Sequence, residues 1–149
     1  LEGRQVVIVA RSTAHDGGDR VLAYGLHLGS RPPAHATSTG RVLLASLPQE
    51  ELREWLRTHS LPRLTAYTQT EAPTLRKTLT QVRANDYCVA SEEHEIGVHA
   101  LAVPLRDLQG RTVAALNVVT SPQRLQAARL EKDLLPVLRD AARELRPLL

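Results

Sequence analysis

An α+β domain with a mainly antiparallel sheet is the fold class this sequence predicts, and three observations carry it. A block of amphipathic helices fills the middle of the chain, extended runs flank that block on both sides, and a further amphipathic stretch closes the chain. In the second half, the runs 98–106 and 111–119 are separated only by Asp107-Leu108-Gln109-Gly110, a loop that joins antiparallel neighbours in a hairpin. With 149 residues, 42% of them hydrophobic, the chain is long enough for one well-buried domain, and residues 1–149 are read as a single domain.

In chain order, Gln5 to Arg11 is a short β-branched run between Gly3 and Ser12, the signature of a buried strand. Alternation places Val7, Val9 and Arg11 on one face. Two roles are open to Arg11, a rim position with the stem on apolar surface and a counter-ion for a bound anion. His15 to Gly18 reads as a turn, and Arg20 to Leu28 as a second strand pairing back on the first, with Gly25 inside it. Pro32 and Pro33 then mark a boundary, because neither can continue a helix or a central strand.

A helix is expected from Ala36 to Ser46, with Thr37, Ser38 and Thr39 at its start and Val42, Leu43 and Leu44 on its buried side. Those hydroxyls suit plain capping. They equally suit anion binding, since the free N–H groups and the positive end of the helix dipole favour a carboxylate or phosphate. Pro48 opens a second helix to about His59, with Leu52, Trp55 and Leu56 as its apolar stripe. Glu71 to Asn85 is a third, carrying Leu75, Leu79 and Val82 on one face. Tyr87 to Ala90 is strand-like, Ser91 to Glu95 is polar, and the hairpin follows. If Val98, Ala100 and Ala102 pair with Ala115, Asn117 and Val119, that side of the hairpin is small and carries one amide, as a pocket wall requires. The other side, with Leu101, Val103, Leu116 and Val118, is ordinary core. Ser121-Pro122 stops the sheet, and Arg124 to Leu149 reads as a long amphipathic helix that Pro136 kinks or divides.

Composition excludes several functions. The excess of basic over acidic residues is three, only Lys77 and Lys132 are lysines, and the arginines are scattered among acids with few aromatics, so this segment is not expected to grip nucleic acid. Cys88 is the single cysteine, which excludes an internal disulfide and a cysteine-rich zinc motif and suits a core position. No apolar run spans a membrane and no leader precedes the first strand, so a cytoplasmic home is expected. Methionine is absent, even at position 1, which reads as a segment excised from a longer protein. Thr37-Ser38-Thr39-Gly40 lacks the first glycine of a nucleophile elbow, no histidine pair has zinc-hydrolase spacing, and phosphate-loop and dinucleotide signatures are missing. No metal and no cofactor are expected. An enzyme reading needs a general base, for which His35 and Glu93 are the candidates, although a solvated or salt-bridged role suits the acidic cluster Glu92 to Glu95 better.

Three motifs in this order carry a family resemblance. R-P-P-A-H-A-T-S-T-G-R-V-L-L-A-S-L-P precedes L-x-x-x-L-x-x-V-R-x-x-x-Y and S-E-E-H-E-I-G-V, and A-V-P-L-R-D-x-x-G-x-x-V-A-A-L-N-V follows. Together they resemble the effector-binding domain of the IclR family of bacterial transcription regulators, over almost the whole chain. T-S-T-G-R with A-A-L-N-V is similar to the branch controlling protocatechuate, 4-hydroxybenzoate and β-ketoadipate catabolism. The resemblance implies a GAF-like fold, a curved antiparallel sheet with helices on both faces, and a homodimer or homotetramer. It also implies promoter DNA bound through an N-terminal winged helix-turn-helix that this chain lacks.

Carried over by position, the family's pocket falls on Ser38, Thr39, Ala90, Ser91, Val98, Ala100, Asn117 and Val119. Some relatives have an acid and a cysteine where this chain has Ala90 and Ala100, so a different ligand is implied. The expected effector is a small carboxylate held at Thr37 to Thr39, with Arg11 as leading counter-ion, Asn117 orienting a second polar group and His35 contributing. The alternatives are a small enzyme acting on a carboxylic acid, and an oligomerisation module whose cavity is filled.

Overall fold

The structure is a computed structural model that describes residues 1–12, 27–121 and 129–149. The expected turn at His15 to Gly18, most of the strand Arg20 to Leu28 and the first part of the C-terminal helix lie outside those residues. Within them the chain is α+β, with helices on both faces of an antiparallel sheet.

The N-terminal run is less buried than expected. Residues 5–8 are extended and pair with 29–33, while the expected partner Arg20 to Leu28 lies almost wholly outside the described residues: the Val6 N–H donates to Pro32 O at 2.9 Å, Ile8 N–H to Ser30 O at 3.1 Å and Gly29 N–H to Ile8 O at 2.8 Å. Pro32 and Pro33 supply no N–H, so the ladder is broken and reduces to a bridge between Gln5 and Pro33. Val6 is the buried residue here, whereas Val9 is 81% exposed and Arg11 is exposed with it.

The chain then makes a 3-10 turn at Ala34–Ala36 and passes through an extended Thr37 into α1 (Ser38–Ala45). The sequence predicts one helix from Ala36; the break at Thr37 is what lets its side chain cap the helix. Helix α2 (Gln49–Thr58) starts at Pro48, with Glu50 and Glu51 in its first turn and Trp55 and Leu56 buried. Helix α3 (Ala72–Asn85) buries Leu75, Leu79 and Val82 as expected, and Asp86, at φ 64°, ends it in the left-handed region.

Strands β1 (Cys88–Ser91), β2 (His99–Arg106) and β3 (Thr112–Thr120) form a sheet in that order, each pair antiparallel. Ala90 opposes Ala100, Ala100 opposes Val119 and Ala102 opposes Asn117, so the small-residue face predicted from alternation forms, with Pro104 opposite Ala115 and with Val98 outside the strand, which begins at His99. The hairpin loop is ordered by Asp107, whose carboxylate accepts the Gln109 N–H at 3.0 Å and the Arg111 N–H at 2.9 Å.

Two cores result, one per sheet face. On the small-residue face, Cys88, Ala102 and Ala115 pack with Val42, Leu44 and Ala45 of α1 and with the apolar residues of α2 and α3. On the other, Leu101, Val103, Leu116 and Val118 pack against Leu130, Leu135 and Leu138. Pro136 divides the C-terminal helix as expected, into a π-helical turn at Leu130–Leu134 and helix α4 (Leu135–Leu145).

Candidate functional site

The start of α1 is built from its sequence. Thr37 Oγ1 accepts the Gly40 N–H at 3.2 Å and donates to Pro33 O at 3.1 Å, so capping is real. The cap uses only the third N–H of the helix. Ser38, 1% exposed, has an Oγ with no hydrogen-bond partner among the described residues. A buried hydroxyl without a partner is costly, and it stands where an anion would meet free N–H groups. Capping therefore falls to Thr37 and leaves the Ser38 hydroxyl unused by the described residues. Thr39 is half-buried beside them.

His35 is 2% exposed and its Nε2 donates to Pro62 O at 2.9 Å. Burial is the largest influence on this ring and lowers its pKa from the ordinary value of 6.5, with the bond to Pro62 acting the other way. His94 is lowered too, again chiefly by burial. The folded state thus binds fewer protons than the unfolded chain in the window below about pH 6.5, and stability falls as pH falls through it. Thermal melts across that window are expected to show this loss, and His35→Gln is expected to flatten it. An unchanged slope in that variant would contradict the assignment to His35.

The sheet distributes the other predicted residues. Ala90, Ala100, Asn117 and Val119 share the face on which α1 packs; Ala90 is buried, Ala100 and Val119 are half-buried, and Asn117 is exposed. Ser91 opposes His99 and so belongs to the opposite face. Val98 is buried just before β2, and its carbonyl accepts the Glu92 N–H at 2.7 Å. Two clefts, of about 470 and 510 Å³, open elsewhere, one along α3 and one between α1, α3 and the hairpin, and no predicted site residue lines either.

Sequence reasoning missed Arg41, Thr65 and Thr68, which frame this site. Arg41, 1% exposed, donates Nε to His35 O at 2.8 Å and Nη1 to Glu93 Oε1 at 2.7 Å, while its Nη2 pairs with the second carboxylate oxygen. Thr68, 4% exposed, donates to Glu93 O at 2.7 Å, and Thr65 donates to Glu92 O at 2.7 Å. A signal existed: Ser38, Arg41, Val42 and Ala45 follow the i, i+3, i+4, i+7 pattern of an inward stripe, so the arginine needs a buried partner. Glu93 is that partner, so of the solvated and salt-bridged roles left open for its loop it takes the second. Cys88 is held by burial at a pKa of about 11, the behaviour of a core thiol and not of a nucleophile. Among the described residues no group of side chains is arranged to hold a metal ion. No described helix is long and apolar enough to cross a membrane.

Residues 1–146 match the model of the bacterial transcriptional regulator IclR C-terminal domain. The chain belongs to the IclR family. It is 48% identical to the Pca operon regulatory protein of Acinetobacter baylyi over 149 residues, covering 100% of this chain and 54% of that protein. To the p-hydroxybenzoate hydroxylase transcriptional activator of the same organism it is 49% identical, covering 99% of this chain and 55% of the relative. This IclR domain therefore spans about half the length of these relatives. The inducer-binding domain of an Acinetobacter PobR double mutant, solved with 3-hydroxybenzoic acid, superposes with a TM-score of 0.93 at 50% identity, over 100% of this chain and 85% of that one. An IclR homologue from Microbacterium hydrocarbonoxydans, solved with 4-hydroxybenzoate, gives 0.77 at 30% identity, over 95% and 55%. The IclR family consists of transcriptional regulators and not enzymes, and this chain is an effector-binding domain of that family.

Proposed function

We propose that this domain senses a hydroxybenzoate-type aromatic carboxylate, and that its parent protein uses occupancy to alter promoter binding in the cytoplasm as a dimer or dimer of dimers. The Ser38 hydroxyl at the start of α1, which has no partner among the described residues, is the observation that carries this reading. A carboxylate there accepts from Ser38 Oγ and from the Ser38 and Thr39 N–H groups, charge-assisted bonds that the dipole strengthens. Ala90, Ala100 and Val119 give the ring a flat wall of small side chains, with Asn117 at its margin for the ring hydroxyl. His35 backs the turn from which Thr37 and Ser38 project. Arg11, exposed, fits a rim position better than that of a counter-ion.

The bound hydroxybenzoates of two solved relatives support the ligand class. Regulation requires that the ligand bind one arrangement of the parent more tightly than another. Calorimetric titration with 4-hydroxybenzoate tests the reading. Ser38→Ala is expected to weaken binding about tenfold to a hundredfold, the worth of one hydrogen bond to a charged group. Its melting temperature is expected to stay level or rise, because the substitution removes a buried hydroxyl that lacks a partner. Equal affinity in wild type and Ser38→Ala would overturn the assignment.

A further inference from the structure

The ion pair between Arg41 and Glu93 ties α1 to the loop between β1 and β2. In every other ion pair among the described residues at least one side chain is 38% exposed or more, whereas these two are 1% and 12% exposed. The pairs Arg53–Glu50 and Arg57–Glu54 each tie one turn of α2 to the next. Arg41 instead reaches across 52 positions of sequence to the loop between β1 and β2, and holds the turn at 34–36 through its bond to His35 O.

That loop needs holding. Glu92 sits at φ 55°, a left-handed conformation that a residue with a side chain adopts only where its surroundings impose it, and Gly97 returns through φ 81°. Between them the Gly97 N–H donates to Glu92 Oε1 at 2.9 Å and the Val98 N–H to Glu95 O at 3.3 Å. Thr65 and Thr68 hold the Glu92 and Glu93 carbonyls from outside, and Arg41 holds the Glu93 carboxylate from inside. The loop's two ends are Ser91 and Val98, leading directly to Ala90 and Ala100. Arg41 lies one helical turn beyond Ser38 on the same stripe.

A buried ion pair contributes little net stability over an apolar pair of similar volume, so its use here points to geometry. We propose that Arg41 and Glu93 are positioning residues: they latch the 92–97 loop to α1 and thereby set the distance between Ser38 and the Ala90–Ala100 wall, so that effector affinity depends on the latch. This rests on the effector reading above. Occupancy and loop order then reinforce each other, since a ligand seated between the two walls meets a site the latch has already assembled.

The test compares wild type with Glu93→Gln, Arg41→Lys and the apolar double variant Arg41→Met/Glu93→Leu. It reads backbone amide exchange without ligand, and affinity for 4-hydroxybenzoate. In each variant the Glu92, Gly97 and Val98 amides are expected to exchange at least tenfold faster while those of α2 and α3 keep their rates. Binding is expected to weaken at least tenfold, even where the melting temperature of the double variant matches wild type. Wild-type exchange in the loop, or wild-type affinity in a folded double variant, overturns the latch. Should the double variant fail to fold, Arg41→Lys decides, because it keeps the charge and loses the fork and the bond to His35 O. If wild type binds no hydroxybenzoate, the effector reading falls, and the exchange measurement still decides whether the pair latches the loop.

Discussion

Glu93→Leu is expected to destabilise the domain by about 3–5 kcal/mol, measured by urea unfolding, because it leaves the Arg41 guanidinium buried without its counter-charge. Arg41 cannot escape to solvent by a simple rotation: its Nε is held by His35 O and its side chain is 1% exposed. The Glu93 side chain is 12% exposed, so screening by water weakens the pair little. The partner substitution sets the control. Arg41→Met on the Glu93→Leu background removes the orphaned charge, and most of the lost stability is expected to return. A Glu93→Leu protein as stable as wild type would show that the guanidinium finds another partner, and the framing of the site by this pair would have to be given up.

Gly40→Ala is expected to cost about 2–3 kcal/mol despite the better helix propensity of alanine. A Cβ at residue 40 would fall well inside van der Waals contact with the backbone Cα, C and O of Ala34, which are not the ends of a flexible side chain and cannot step aside. Either α1 moves away from the turn at 34–36 or the turn unwinds. Both movements shift Thr37 and Ser38 relative to His35, so 4-hydroxybenzoate affinity is expected to fall together with stability. Thermal melts and titration of one preparation check this, and unchanged stability would mean that the close approach is dispensable.

Gly40 and Arg41 lie in the stretch whose pattern is most legible, and with Glu93 they show where legibility ends. The hairpin face was readable because strand alternation is a strict period of two, so Ala100, Ala102, Asn117 and Val119 followed once the loop at Asp107 to Gly110 fixed the pairing. The three central helices were readable from apolar spacing, and the division of the last helix from Pro136. What the sequence does not state for the N-terminal run is that residues 29–33 lie beside it, because pairing of extended segments is non-local; the expected partner Arg20 to Leu28 lies almost wholly outside the described residues. The same limit hid the buried network. Arg41 looks like one more surface arginine until its position on the inward stripe is noticed, and even then the stripe cannot say that Glu93, in a polar loop, is what it meets. Ser91 was assigned to the site by position in the family, while the register puts it on the opposite face from Ala90.

The central claim is that the effector's carboxylate docks at the start of α1 against the small-residue face of the sheet. A crystal structure of this chain with 4-hydroxybenzoate tests it most directly. The predicted result is a carboxylate within hydrogen-bond distance of Ser38 Oγ and the Thr39 N–H, with the ring over Ala90 and Ala100. A ligand seated instead in the cleft between α1, α3 and the hairpin, with the Ser38 hydroxyl still without a partner, would contradict it.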